Sequence, residues 1–214
     1  MRMRGEDDKS MRLHLLAAAL VFGAIAGRPA WGADPRYPDW PCVQAKVPDI
    51  SVAAVWAGPP LDDAEKTWES DQRVRDLVAR LAPRRLPIED AKRAISEFVA
   101  ADAAVREEKG TVLFAGLLAR LNRERSEVMN GIERLARRQQ DSAEKIRAEI
   151  SQLHQLQDAA SPDEAKLQEL SSRVEWSTRI FEERNKTLRY VCEVPSLIEQ
   201  RLFSLARAVQ EAME

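Results

Sequence analysis

Apolar residues recur three or four positions apart over most of the chain beyond residue 62, which is the spacing of the buried face of an α-helix. The two longest stretches of this kind cover residues 111–158 and 162–213, with a short turn between them. The second begins with the sequence SPDE, where we expect Ser161 as the N-cap and Pro162 as the first helical residue. Two halves of similar length joined by a short turn predict an antiparallel helical hairpin.

Two shorter helices are predicted before the hairpin. The first covers residues 63–82, where Asp62 and Glu65 form a start that resembles a capping box. The second ends at Gly110, its expected C-cap, and the alternative is one helix over residues 87–158 that bends at this glycine. Together with the hairpin, these helices predict an all-α fold, a helical bundle with a long antiparallel coiled-coil hairpin.

The apolar seam of the hairpin is interrupted by polar residues, which is typical of a solvated coiled coil rather than of a buried core. The interrupting residues are Arg125, Gln139, Ser142, Ser177 and Arg184. We therefore expect residues 62–128 and 191–214 to form the helical bundle, and residues 129–190 to project from it as a coiled-coil arm. The competing arrangement packs the two short helices along the middle of the hairpin and leaves no separate arm.

Residues 33–61 lack helical spacing and contain a proline every few positions, so we expect an extended strap. Within it, residues 49–56 have the composition of a short strand, but no other segment resembles a partner strand. We expect the apolar side chains of the strap to lie over the helical core, namely those of Tyr37, Trp40, Val47, Ile50, Val55 and Trp56. The alternative is that its aromatic start is a docking surface for a partner.

Residues 1–32 have the organisation of a Sec-type secretory signal peptide. Residues 13–26 are almost wholly apolar, a run that suits a signal peptide and is too short for a comfortable membrane span. The small residues around Gly32-Ala33 predict cleavage there. The alternative is an uncleaved N-terminal anchor.

The start of translation follows from the same segment. Residues 1–10 add nothing that a signal peptide needs, so Met11 is the expected initiator and residues 1–10 are then not translated. We expect a periplasmic or secreted protein that has no stable membrane insertion after signal cleavage.

Cys42 in the strap and Cys192 in the second half of the hairpin are the two cysteines of the chain. An exported protein meets an oxidising environment, so this pair predicts one disulfide that staples the strap to the place where bundle and arm meet. The alternatives are intermolecular pairing and redox chemistry, and the second lacks the support of a C-x-x-C motif.

Composition narrows the classes of function. The 33 Lys and Arg residues nearly balance the 35 Asp and Glu residues, so no basic face for nucleic acid is indicated. His154 is the one histidine beyond the signal segment, which leaves little for acid–base or metal chemistry. The chain has no Gly-rich phosphate loop and no hydrolase or zinc-binding motif. We expect no catalytic residue, no cofactor and no metal ligand.

These observations favour an exported, non-catalytic interaction protein, such as a periplasmic adaptor, an assembly factor or a chaperone-like clamp. The arm would be presented to another envelope protein, and pairing of two copies is left open. The alternative is a periplasmic bundle that binds a small molecule or a metal between strap and bundle. The candidate residues for a partner or ligand surface are Tyr37, Trp40, Trp56, Trp68 and His154.

Overall fold

The computed structural model describes residues 34–101 and 103–214. The predicted signal peptide over residues 1–32, its cleavage site and the predicted initiator lie outside these ranges and stay predictions. Every helix of the described residues lies within residues 36–214, which form one compact unit.

The described residues form helices and contain no strand, so the predicted all-α fold is confirmed. The segment that had the composition of a strand contains a short helix instead. A 3₁₀ turn at Ala103–Val105 lies between the fourth and fifth helices. The helices are α1 (Val52–Val55), α2 (Ala64–Thr67), α3 (Gln72–Leu81), α4 (Ile88–Ala100), α5 (Arg106–Gln157), α6 (Glu164–Val191) and α7 (Val194–Met213).

The long helix α5 pairs with α6 and α7 as the predicted antiparallel hairpin. Arg125 on α5 contacts Glu199 on α7, whereas Gln139, further along α5, contacts Phe181 on α6. Because Phe181 precedes Glu199 in the chain, the two sides of the hairpin run in opposite directions. At 1.5 Å per residue, the 52 residues of α5 extend over about 78 Å.

The hydrophobic core lies where α3, α4, the first part of α5 and α7 pack together, and the burial of these side chains is the main force that holds the four helices. Its largest fully buried side chains include Leu81, Ile95, Leu113, Phe114, Leu117, Leu121, Ile198, Leu202 and Leu205. Among the described residues, neither this core nor the half-buried residues packed on it include a position between Val128 and Val194. The domain boundaries expected from the sequence stay a prediction.

The hairpin beyond Val128 buries few apolar side chains. On α6 the one buried residue is Leu170. The buried apolar residues of α5 in this region are Met129, Ile132 and Ala136. At the seam position of Gln139, the contact between α5 and α6 is polar. Its Nε2 donates to the backbone oxygen of Phe181 and to Oδ1 of Asn185, both at 3.0 Å. Polar contacts therefore hold the two helices of the hairpin together alongside apolar ones.

Helix α7 also fixes the end of α3 through the buried side chain of Arg201. Its Nη2 and Nε donate to the backbone oxygen of Leu81 at 2.7 and 3.2 Å, and its Nη1 donates to that of Leu86 at 2.9 Å. Burial lowers the pKa of Arg201 from its ordinary value. A cation at this place satisfies the carbonyl of Leu81 at the C-terminal end of α3 and complements the helix dipole.

The first predicted helix, over residues 63–82, is wrong as a single helix. The segment contains α2 and α3, and α3 begins after Asp71, whose carboxylate accepts hydrogen bonds from the backbone N–H of Arg73 at 2.8 Å and Val74 at 3.4 Å. The expected capping box does not form, since α2 begins after Asp63 without a side-chain hydrogen bond. Asp71 is a strong N-cap inside the segment, and apolar spacing alone does not reveal it.

The prediction that Gly110 ends a helix is also wrong. Gly110 is buried inside α5, and the break falls instead at the 3₁₀ turn after α4, which equally excludes one helix over residues 87–158. A Cβ at Gly110 would collide with the side chain of Met213 on α7. Glycine therefore leaves room here for the Met213 side chain between two close helices and does not form a turn.

The second half of the hairpin starts two residues later than expected. Asp163, not Ser161, is the N-cap of α6, and its carboxylate accepts a hydrogen bond from the backbone N–H of Lys166 at 3.1 Å. This hydrogen bond holds the pKa of Asp163 below its ordinary value. Serine and aspartate are both good N-caps, but an ionised carboxylate accepts the stronger hydrogen bond, so Pro162 precedes the helix.

Alanine at two glycines of α5 should change stability in opposite directions. A Cβ at Gly116 would lie 2.8 Å from Cγ2 of Val78 and 2.9 Å from Cε3 of Trp68, so Gly116→Ala should lower the free energy of unfolding by about 1–3 kcal/mol. At Gly131 the nearest atom is 3.8 Å away, so Gly131→Ala should raise it by about 0.5–1 kcal/mol through helix propensity. Urea unfolding followed by circular dichroism measures both, and equal shifts would contradict this packing.

Candidate functional site

The strap lies along α5 and runs in the opposite direction. Near its start, Asp39 forms an ion pair with Arg137 at 2.8 Å, whereas at its end Trp56 stacks on Phe114 with ring centroids 4.1 Å apart. Between these contacts, the strap follows about 35 Å of α5. It therefore borders α5 on both sides of Val128, beyond which the described apolar core does not extend along this helix.

Arg125 is the central anchor of the strap. Its side chain is 3% exposed, and its Nη1 donates to the backbone oxygens of Val47 and Pro48, the latter at 3.1 Å. Its Nε and Nη2 lie 2.8 and 2.6 Å from Oε1 of Glu199 on α7. One guanidinium thus joins the strap, α5 and α7, which explains why a position of the apolar seam carries an arginine.

Asn122 supplies the backbone contacts that a neighbouring strand would provide. Its Oδ1 accepts a hydrogen bond from the backbone N–H of Ile50 at 2.9 Å, and its Nδ2 donates to the backbone oxygen of Ile50 at 3.1 Å. Buried backbone groups need partners, and here one amide side chain satisfies both groups of one residue. The backbone of the strap at Ile50 is therefore satisfied without a partner strand.

Lys46 organises the aromatic residues at the start of the strap. Its Nζ lies 2.6 Å from Oε1 of Glu133 on α5, and 4.7 and 6.0 Å from the ring centroids of Tyr37 and Trp40. The side chains of Lys46 and Glu133 are only 13% and 16% exposed. The aromatic rings shield the ion pair from water, which strengthens the attachment of the strap to α5.

Cys42 and Cys192 form the disulfide that the sequence predicts. Their Cα atoms lie 5.6 Å apart, and 150 residues separate them in the chain. Cys192 directly follows α6, so the bond joins the strap to the second side of the hairpin. Hydrogen bonds and ion pairs join the same strap to α5, the first side.

The five residues expected to form a partner or ligand surface lie in three places. Tyr37 and Trp40 are half-buried around the same lysine, whereas Trp56 is buried and Trp68 half-buried, both against α5 in the bundle. His154 is exposed in the last turn of α5, at the tip of the hairpin. The structure does not bring the three places together, and a binding role for any of the five stays a prediction.

A groove lies between the strap and α7, which we call the strap groove. Its volume is about 660 Å³. Val47 does not lie over the core as expected, because its backbone oxygen is turned to Arg125; its side chain is 52% exposed and lines this groove. The lining residues are Val47, Asp49, Ile50, Ser51, Ala54, Val55, Glu199, Gln200, Phe203 and Ser204.

A second groove lies between α5 and α6 on the arm, which we call the arm groove. Its volume is about 250 Å³ and its most exposed large apolar side chain is Trp176, at 61%. The lining residues are Ser142, Lys145, Ile146, Trp176, Ser177, Ile180, Phe181 and Arg184. Heptad analysis missed Trp176 because it lies outside the seam; the available signal was a large aromatic residue on an otherwise charged helix face.

No set of three or more His, Cys, Asp or Glu side chains within residues 34–101 and 103–214 is arranged to hold a metal ion. In the same part of the chain, no helix combines the length and the apolar composition needed to cross a membrane. Comparisons with protein-family models, with curated proteins and with solved structures gave no match.

Replacing Arg125 tests the anchor of the strap. Arg125→Met leaves two strap carbonyls without a donor and Glu199 without its partner, so the free energy of unfolding should fall by about 1–3 kcal/mol. The control Arg123→Met removes an exposed arginine of the same helix and should change it by less than about 0.5 kcal/mol. Equal urea midpoints for the two variants would contradict the anchoring role.

Loss of the disulfide should destabilise the protein strongly, because the bond closes a long loop in the unfolded chain. For a sequence separation of 150 residues, the chain-entropy estimate is about 5 kcal/mol. The variants Cys42→Ser, Cys192→Ser and the double variant should show the same loss in urea unfolding, since each removes the same bond. A smaller loss in the double variant than in either single variant would show that a free thiol, not the missing bond, causes part of the effect.

Proposed function

We propose that this protein is exported and acts as a non-catalytic interaction protein, whose arm presents a docking surface to another protein of the cell envelope. The observation that carries this proposal is the exposure of Trp176 on the arm. Periplasmic adaptors, assembly factors and chaperone-like clamps all fit this description.

Trp176 is costly to leave in water, which makes it the centre of the proposed surface. Its side chain is 61% exposed, and the arm groove beside it is lined by half-buried Ile146, Ile180 and Phe181. Tryptophan is enriched among the residues that dominate binding energy in protein interfaces, because it buries a large area and loses little conformational entropy. A partner that covers this groove would remove the exposed apolar surface from water.

The charges beside the groove indicate the chemistry of the partner. Lys145 and Arg184 line the arm groove, and neither forms an ion pair with any residue that the structure describes. Cations at the rim of an apolar groove favour a partner that combines apolar and acidic side chains. An amphipathic helix with acidic residues beside its apolar face meets this description.

Export is supported by two features. The Cys42–Cys192 disulfide is the kind of bond that persists in the periplasm or outside the cell and is rare in the cytosol. The apolar stretch at residues 13–26 has the length of a signal-peptide core. We assign no catalytic residue and no cofactor to the protein.

Site-specific photo-crosslinking tests the docking surface. A photoreactive phenylalanine analogue at position 176 should crosslink to an envelope protein in living cells, whereas the same group at position 190 should not. Tyr190 is a matched control because it is a 73% exposed aromatic residue of the same helix, about 21 Å from Trp176 along the axis.

The corresponding alanine variants measure how much of the affinity depends on Trp176. The partner identified by crosslinking should co-purify with the native chain. Trp176→Ala should reduce the amount of co-purified partner by about tenfold or more, as expected for an interface hot spot, and Tyr190→Ala should not. Both variants should have the same urea midpoint of unfolding as the native chain, because both side chains are exposed. Equal recovery by the two variants would contradict a surface centred on Trp176.

The export proposal is tested by sequencing the mature N-terminus. Protein recovered from the periplasmic fraction should begin at Ala33, and its two cysteines should resist alkylation until a reductant is added. A chain in the membrane fraction that keeps the apolar residues 13–26 would instead show the uncleaved anchor. Recovery from the cytoplasm with free thiols would contradict export.

A further inference from the structure

The strap groove has the dimensions and lining of a small-ligand site. Its volume of about 660 Å³ falls in the usual range for such sites, roughly 300–1,000 Å³. Ile50 and Val55 on the strap and Phe203 on α7 supply apolar surface, and serine, glutamine and carboxylate groups supply polar positions. This mixture is the one that binds organic molecules with a polar end and an apolar body.

Both walls of the groove are held in place by contacts that lie outside it. On the strap side, Asn122 binds the backbone of Ile50, and Arg125 binds the backbone of Val47. On the other side, α7 is fixed by core residues such as Leu202. A groove with fixed walls loses little conformational entropy when a ligand enters.

Two exposed large apolar side chains line this groove. Val47 and Phe203 are 52% and 47% exposed, and both line it, one from each wall. They are brought together from distant parts of the sequence, so their exposure forms one patch rather than two isolated positions. A ligand between them would cover apolar surface on both walls at once.

The charged residues that line the groove are both carboxylates. Asp49 forms no ion pair with the described residues. Glu199 binds Arg125 through Oε1 alone, and its side chain remains 43% exposed. No lysine or arginine lines the groove; Arg207 lies over the Phe203 ring, 4.9 Å from its centroid, but outside the lining. Asp49 is therefore the charged lining residue without an ion pair among the described residues, and its carboxylate favours a cation.

We propose that the strap groove binds a small amphipathic organic cation, with an apolar or aromatic body between Val47 and Phe203 and an ammonium group near Asp49. This site is separate from the arm groove, so it does not depend on the docking surface proposed above. The Asp49 carboxylate makes the site selective for a positively charged ligand, and the apolar walls supply most of the surface that the ligand buries.

Three probes with the same body and different ends test this assignment. These are 4-phenylbutylamine, 4-phenylbutanol and 4-phenylbutanoate, titrated into the native chain and followed by protein NMR. The amine should bind about tenfold more tightly than the alcohol, and the carboxylate should bind most weakly. Added salt should reduce the preference for the amine, because the carboxylates are accessible to solvent.

Two variants separate the apolar and the charged contributions. Phe203→Ala should weaken the amine and the alcohol several-fold each, whereas the control Leu197→Ala should weaken neither, since Leu197 is a 42% exposed residue of α7 outside the groove. Asp49→Asn should weaken the amine alone, and the control Glu211→Gln, which removes an exposed carboxylate of α7 outside the groove, should weaken neither probe. Unfolding midpoints equal to that of the native chain establish that the variants are folded.

The assignment is overturned by any of three results. These are equal affinity for the three probes, no saturable binding of the amine at millimolar concentration, or an unchanged amine affinity in Phe203→Ala. If a variant does not fold, the native chain still decides the question. Its preference among the probes tests the charge, and intermolecular nuclear Overhauser effects between the probe ring and the Phe203 ring test the position.

Discussion

A segment that pairs with no strand and is mostly not helical needs other donors and acceptors for its buried backbone groups, and this requirement determines how the strap of this protein is placed. Asn122 satisfies both backbone groups of Ile50, and Arg125 donates to the carbonyls of Val47 and Pro48. The two side chains lie about one turn apart on α5. Because they fix the strap on α5, the position of the disulfide, of the aromatic residues and of the strap groove depends on them.

Arg125 also lies between two parts of the hairpin, one packed mainly by apolar side chains and one with few of them. Arg125 lies where the apolar core ends, and beyond it α5 and α6 are held by few apolar contacts and by the hydrogen bonds of Gln139. Removing one partner of a buried ion pair is costly, so Arg125 tolerates few alternative arrangements. Its bonds to the strap and to Glu199 therefore select one alignment of the strap, α5 and α7.

The predictions that succeeded depend on local periodicity or on simple pairing. Heptad spacing is a local property, so the hairpin was visible in the sequence, and two cysteines leave one intramolecular pair. Helix starts were less predictable, because Ser161 and Asp163 are both favoured N-cap residues and lie only two positions apart. Arg125 looked like an interruption of the seam, since its partners lie more than 70 residues away in the chain. Contacts of that kind arise only when the whole chain is folded.

The separation of 150 residues between Cys42 and Cys192 imposes an order on the maturation of the chain. Cys42 leaves the ribosome, and in an exported chain the translocation channel, long before its partner. Oxidation to the native pair therefore cannot take place until almost the entire polypeptide has arrived. The covalent bond cannot guide the early stages of folding; it can only secure an arrangement that the helices have already reached.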